Sequence, residues 1–216
     1  MNKGRKFFSI LLTIVIIITI ALLAFLAYKY ISNYILTKEA SDIVDEFENS
    51  IIAVAIDEEN NTVNGETQTP TNSNTSGNRT STRIKHKGYD VIGSIQIPKT
   101  KVKYPIVNSA EPAAMDSAIV MLYGPGLNQE GNTVLAGHNY RNGGFFGNNK
   151  KLENGDKIYI TDETGNKIEY TIYNKYTAAD SDFSYATRNT EGKREISLST
   201  CTSNASTRLV IWAKEN

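Results

Sequence analysis

The chain has 216 residues, enough for one domain with appendages. Lys plus Arg and Asp plus Glu each number 23, so the formal net charge is zero and nothing points to a nucleic-acid partner. A single cysteine excludes an internal disulfide, and with only two histidines, far apart, no zinc-type ligand constellation is visible.

Lys3, Arg5 and Lys6 precede the run Phe7–Tyr28, which carries no charged residue. About 20 apolar residues cross the hydrocarbon core as a helix, and a basic flank favours the cytoplasmic side. The run exceeds the roughly 7–15 residues of a signal-peptide core, and no small-x-small cleavage site follows it. Residues 1–31 are therefore expected to form a basic cytoplasmic tail and an uncleaved, single-pass type II anchor. Everything after them is expected outside the cytoplasm.

In residues 32–56, Ile35, Ile43, Val44, Phe47, Ile51 and Val54 recur near helical spacing among charged residues, and a helical stalk is expected. Residues 57–88 shift to Asn, Thr, Ser, Gly and Glu. That composition cannot bury enough apolar surface to fold, so a disordered polar linker is expected, with His86 solvated within it. A chain started near Arg83 is accordingly expected to fold by itself.

Residues 89–216 read as the catalytic domain. Short strand signals recur at 92–97, 102–107, 133–137, 157–161, 167–174, 195–200 and 208–214, with turn residues between them. Asp162–Asn166 suits a hairpin loop, and helix is confined to Pro112–Val120 and a turn around Phe145–Lys151. The pattern is that of a β-barrel or sandwich. The longest connection, Lys175–Arg194, carries Asp180, Asp182 and Glu191. Carboxylate spacing alone does not make a calcium cage, so a solvated loop is expected there.

The chemistry gathers at the end of the chain. Ile196-Ser197-Leu198-Ser199-Thr200-Cys201 alternates like a half-buried strand and ends on the only cysteine. After the polar loop Thr202–Thr207, a second strand begins at Arg208. Paired antiparallel, the two strands place Cys201 and Arg208 at one rim. His138 ends another apolar strand, where side chains project onto rim loops. A free thiol with a pKa of about 8.5 is mostly unreactive at neutral pH. An imidazole can take its proton, and a guanidinium can steady the oxyanion of a tetrahedral intermediate. Each residue alone has a plainer reading: a buried small hydrophobe, a strand-end histidine, a surface charge.

Together, Leu198-Ser199-Thr200-Cys201, Arg208 and the upstream Gly137-His138-Asn139 resemble the sortases, cysteine transpeptidases of Gram-positive cell walls. The resemblance runs from about Tyr89 to Lys214 and includes Ile92–Pro98, Tyr104-Pro105-Ile106 and Gly124-Pro125. It implies a closed, mostly antiparallel eight-stranded sortase-like β-barrel with short helices, preceded here by a transmembrane helix. It implies Cys201, His138 and Arg208 as catalytic residues, with Thr200 and Asn139 near the substrate. The reaction implied is cleavage of an LPxTG-like or NPxTN-like sorting signal through a thioacyl-enzyme, then transfer of the surface protein to a peptidoglycan amine. No cofactor is implied, although calcium activates some members. Features of classes A, B and D are mixed. A membrane-tethered cysteine peptidase and an inactive surface binding module are the alternative functions.

Overall fold

The structure is a computed structural model that describes residues 3–63, 83–203 and 206–216. Helix α1 spans Lys3–Val63, and the chain divides into two compact units, the first ending at Glu39 and the second running from Ala40 to Asn216. In the first unit α1 is apolar on every side, and side chains such as Ile10, Ile17 and Leu23 are exposed. A helix with no polar face and no packing partner is suited to lipid rather than water. By length and composition it can cross a membrane.

The second unit is mainly β. Its strands are β1 (Lys85–His86), β2 (Tyr89–Ile97), β3 (Val102–Val107), β4 (Ile119–Tyr123), β5 (Gly131–Ala136), β6 (Lys157–Asp162), β7 (Lys167–Ala179), β8 (Arg194–Cys201) and β9 (Thr207–Glu215). The order β2-β3-β4-β5-β8-β9-β7-β6 closes through a β6–β2 pairing into an eight-stranded barrel, with β1 added as a two-residue edge on β2. The β3–β4 and β5–β8 pairings are parallel and the other pairings antiparallel. Side chains alternate across each strand. Ile95, Leu135, Ile160, Tyr170, Leu198 and Ile211 fill the lumen. Val134, Ser197, Ser199, Cys201 and Val210 therefore lie on the outer face.

Three sequence expectations change here. The helix expected over Pro112–Val120 is one turn, α2 (Pro112–Met115), and Ile119–Tyr123 is strand β4. Pro112 can start a helix, but the apolar, β-branched run after it pairs on both edges with β3 and β5. Strand β7 continues to Ala179 along β9, so the long connection begins at Asp180.

The third change concerns the stalk and linker. The helix continues through 57–63, and residues 64–82 lie outside the described residues. The end of the expected linker is folded. β1 and β2 form a hairpin whose turn, Lys87-Gly88, has positive φ at both residues (50° and 93°), the type I′ pattern that matches strand twist. His86 is only 4% exposed, and its Nε2 lies 3.1 Å from the Ser117 carbonyl, so it is a core residue and not a solvated one. From Ala40 onward α1 belongs to the second unit. Ala40, Val44 and Phe47 are buried, and Phe47 packs with Val91, Val107, Ala118 and Val120 on the outer face of the sheet. Glu48 accepts hydrogen bonds from Ser94 Oγ and Gln96 Nε2, both at 3.0 Å. Of the periodic residues, Ile43, Val44, Phe47 and Ile51 form the stripe that docks on the barrel.

Candidate active site

Strand register assembles the site at one rim of the barrel. Cys201 and Arg208 are direct cross-strand partners in the β8–β9 ladder, and Arg208 is flanked on its other side by Ala178 of β7. In the parallel β5–β8 pair, Ala136 faces Ser199. Two residues further on in each chain, that register brings His138 alongside Cys201. By alternation, Ser199 and Cys201 share the outer face, as do Arg208 and Val210. Of the sequence-predicted trio, Cys201 ends β8, Arg208 lies in β9 and His138 lies two residues past the end of β5, so all three gather at the rim of three neighbouring strands.

The backbone beneath the trio is fastened by residues that flank it. Thr200 Oγ1 donates to the Gly137 carbonyl at 2.6 Å, and the Gly137 N–H donates to the Ser199 carbonyl at 3.3 Å. These bonds extend the β5–β8 ladder to the rim. Asn139 Nδ2 donates to the Cys201 carbonyl at 2.7 Å. In the structure, Thr200 and Asn139 thus hold the strand that ends on Cys201; the Thr200 side chain is buried and its hydroxyl is committed to that bond. A Cβ on Gly137 would lie 2.6 Å from Ile119 Cδ1 and 3.1 Å from the Phe146 ring, so a larger residue there would have to push these core side chains aside.

Cys201 is a free, half-buried thiol. The His138 ring lies 5.1 Å from the Tyr140 ring and 6.3 Å edge-on from Phe145. Its carbonyl accepts from the Phe146 N–H at 3.0 Å, and Phe145, at φ 52°, donates its N–H to Tyr104 Oη at 3.1 Å. The loop after β5 is therefore pinned on both sides of the histidine. His138 Nε2 pairs with Asp116 Oδ1 at 2.9 Å. Arg208 Nη1 donates to the Thr207 carbonyl at 3.3 Å. The Thr202 N–H donates to the Thr207 carbonyl at 3.1 Å, which closes the short loop between Cys201 and Arg208.

The connection from Asp180 to Lys193 leaves the same rim and returns to β8 at the far one. Its inner side packs on the sheet: Tyr185 and Ala186 join Val134 and Val210 in one cluster, and Tyr185 Oη lies 3.2 Å from Ser199 Oγ. Arg188 anchors the connection. It pairs with Glu195, donates to Asn132 Oδ1 at 2.9 Å, and lies 4.7 Å from the centre of the Trp212 ring. Asn132 Nδ2 reaches the Tyr185 and Ala186 carbonyls at 2.9 and 3.0 Å. Tyr173 also donates to Glu195, at 2.6 Å, and burial together with that bond pushes the Tyr173 phenol up from its ordinary range. A largely buried guanidinium whose two terminal nitrogens are paired fixes an otherwise polar loop against the strand that ends on Cys201. No group of three or more His, Cys, Asp or Glu able to hold a metal occurs among the described residues.

Asp116, Asn132, Tyr185 and Arg188 were not singled out for the site from the sequence. Nothing local marks them, because each acts through a partner at least seven residues away.

The profile of the Sortase domain family matches residues 95–216. The chain is 32% identical over 114 residues to sortase A of Bacillus anthracis, an overlap covering 52% of this chain and 53% of that protein. It spans about half the length of the curated relatives it matches. Among solved structures, Listeria monocytogenes sortase A superposes with a TM-score of 0.54 at 27% identity, covering 58% of this chain and 87% of that one. A Clostridium perfringens sortase D5 transpeptidase shares the fold, with a TM-score of 0.59 at 21% identity, covering 84% of this chain and 98% of that one.

Proposed function

The chain belongs to the sortase family, and from that premise we propose that it is a membrane-anchored cysteine transpeptidase acting on sorting signals. The observation that carries this reading is the shared rim at which Cys201 of β8, Arg208 of β9 and His138, two residues past β5, meet. The thiolate of Cys201 attacks the scissile carbonyl carbon, and the carbonyl electrons move onto oxygen. Arg208 stabilises that oxyanion. On collapse, the C–N bond breaks and the His138 imidazolium gives its proton to the departing amine. The acyl group remains on Cys201 as a thioester. An incoming peptidoglycan amine then attacks the thioester, loses a proton to His138 and regenerates the thiolate. The sorting signal is of the LPxTG or NPxTN kind, on surface proteins. The test is mass spectrometry of the protein incubated with such peptides and no amine acceptor. An added acyl mass on the Cys201 peptide supports the proposal. Its absence across both peptide kinds removes it.

The basic flank favours a type II arrangement, with the N-terminal end of α1 in the cytoplasm and the barrel outside. Protease added to intact protoplasts should then digest the barrel or release it. Full protection until lysis would reverse the orientation.

Arg208→Lys is expected to lower kcat/KM about 10²–10³-fold, although it preserves charge. A guanidinium presents several donors in a rigid plane, whereas an ammonium is a hydrated point charge on a flexible stem. Steady-state kinetics of Arg208→Lys and Arg208→Ala on one peptide, with thermal melts, measure this. Near-wild-type kinetics for the lysine variant would reject the fork geometry.

A further inference from the structure

The reactive rim extends one strand past His138. The antiparallel β4–β5 register, Val120 opposite Ala136, carried outward, brings residues 116–118 alongside 138–140. There α2 ends, and the turn closed by the Ser117 and Ala118 N–H groups on the Ala114 carbonyl delivers Asp116 to the rim. Along the strand order β4-β5-β8-β9, the four residues Asp116, His138, Cys201 and Arg208 follow one another. Once the proton has moved from thiol to imidazole, their charges alternate: negative, positive, negative, positive. We propose that Asp116 is a positioning residue for His138, its carboxylate accepting the Nε2–H so that Nδ1 is the nitrogen turned to the reacting groups.

This deepens the transpeptidase reading and, in its catalytic part, rests on it. Two further observations support the role. Asp116 has a 67% exposed side chain, and a surface pair of this kind adds little to stability, so the contact is not explained as a prop of the fold. Its charge also reaches the rest of the rim: burial first, then the Asp116 carboxylate, pushes the Tyr140 phenol up from its usual range. Among the described residues, the titratable and charged groups that face the imidazole come from neighbouring elements. They are Asp116 before β4, Tyr140 on its own loop, Tyr104 of β3 behind Phe145, Cys201 of β8 and Arg208 of β9. His86 of β1 faces the Ser117 carbonyl, next to Asp116. Asp116 is the carboxylate paired with the ring. A carboxylate at hydrogen-bond distance fixes which ring nitrogen carries the proton and orients the ring.

The test uses the full chain in detergent, with Asp116→Asn, Asp116→Ala and Asp116→Glu. Because Cys201 is the only cysteine, the rate of its alkylation by iodoacetamide at neutral pH reports thiolate without any substrate. Alkylation is expected to slow about 2- to 5-fold in Asp116→Asn and Asp116→Ala, with recovery in Asp116→Glu. On a sorting peptide, kcat is expected to fall about 10-fold with KM unchanged, since misorientation adds to the lost charge. Nitrogen NMR of labelled histidine should show the proton on Nε2 of neutral His138 in the wild type and a mixture of tautomers in Asp116→Ala. Equal alkylation rates in wild type and Asp116→Asn would overturn the proposal, as would a wild-type ring protonated on Nδ1. Slower alkylation with unchanged kcat would overturn its catalytic part. The alkylation and NMR arms decide the positioning role even where no sorting peptide is turned over, so failure of the transpeptidase reading is separately visible.

Discussion

Cys201→Ala is expected to abolish thioester formation, cleavage and transfer, a fall of about 10⁴-fold or more in kcat. His138→Ala should come within a small factor of the same loss, and the double variant should be no worse than either single one. Nucleophile and proton carrier act as a unit, so removing one idles the other. The barrel should tolerate both changes. Cys201 is half-buried on the outer face, and the His138 side chain is 34% exposed, so neither fills the lumen. Peptide cleavage followed by chromatography, alongside thermal melts, measures both effects. A correctly folded Cys201→Ala protein that still cleaves its peptide would eliminate the thioacyl route. Loss of folding in that variant would instead show the thiol to be a packing group.

Removing residues 1–82 is expected to destabilise the barrel severely, whereas a chain beginning at Thr37 should fold. The reason lies in the stripe on α1. Val44 and Phe47 are essentially fully buried, and each such side chain contributes about 1.5–3 kcal/mol. Their loss, about 3–6 kcal/mol, is a large part of the 5–15 kcal/mol that typically separates folded from unfolded domains. Deletion also bares the apolar outer face around Val91, Val107, Ala118 and Val120, an exposed patch that favours aggregation. Urea unfolding of the two truncated chains, with light scattering, makes the comparison. Equal midpoints for chains starting at Thr37 and Arg83 would show that the helix is dispensable. The expectation that a chain begun near Arg83 folds alone came from the linker's composition; the packing of Ala40, Val44 and Phe47 argues against it.

Asp116 and His86 show where reading along the chain runs out. Asp116 sits at the end of a four-residue helix with no periodic pattern around it, and its partner is 22 residues away. His86 lies among Lys and Gly in a stretch that looks solvated, yet 31 residues separate it from the carbonyl that binds it. Strand β4 was hidden for a related reason. Pro112-Ala113-Ala114-Met115 starts a helix convincingly, and only pairing on both sides by β3 and β5 makes the next apolar residues a strand. Arg188 looked like one charge in a polar loop, but Glu195, Asn132 and Trp212 make it the anchor of that loop.

By itself, the sequence determined the apolar span of α1, seven of the eight alternating barrel strands (β4 being the exception), and the candidacy of Cys201, His138 and Arg208. Those features are local: periodicity, an uncharged run, and rare reactive residues at strand ends announce themselves within a few positions. Tertiary structure decided which residues stand beside them. The parallel β5–β8 pairing, between segments about 60 residues apart, is what brings His138 to Cys201. The β4–β5 register is what adds Asp116, and docking on β2 and β3 is what turns a stalk-like helix into part of the fold. These placements depend on closing the barrel, and closure is a property of all eight strands at once, written into no single stretch of chain.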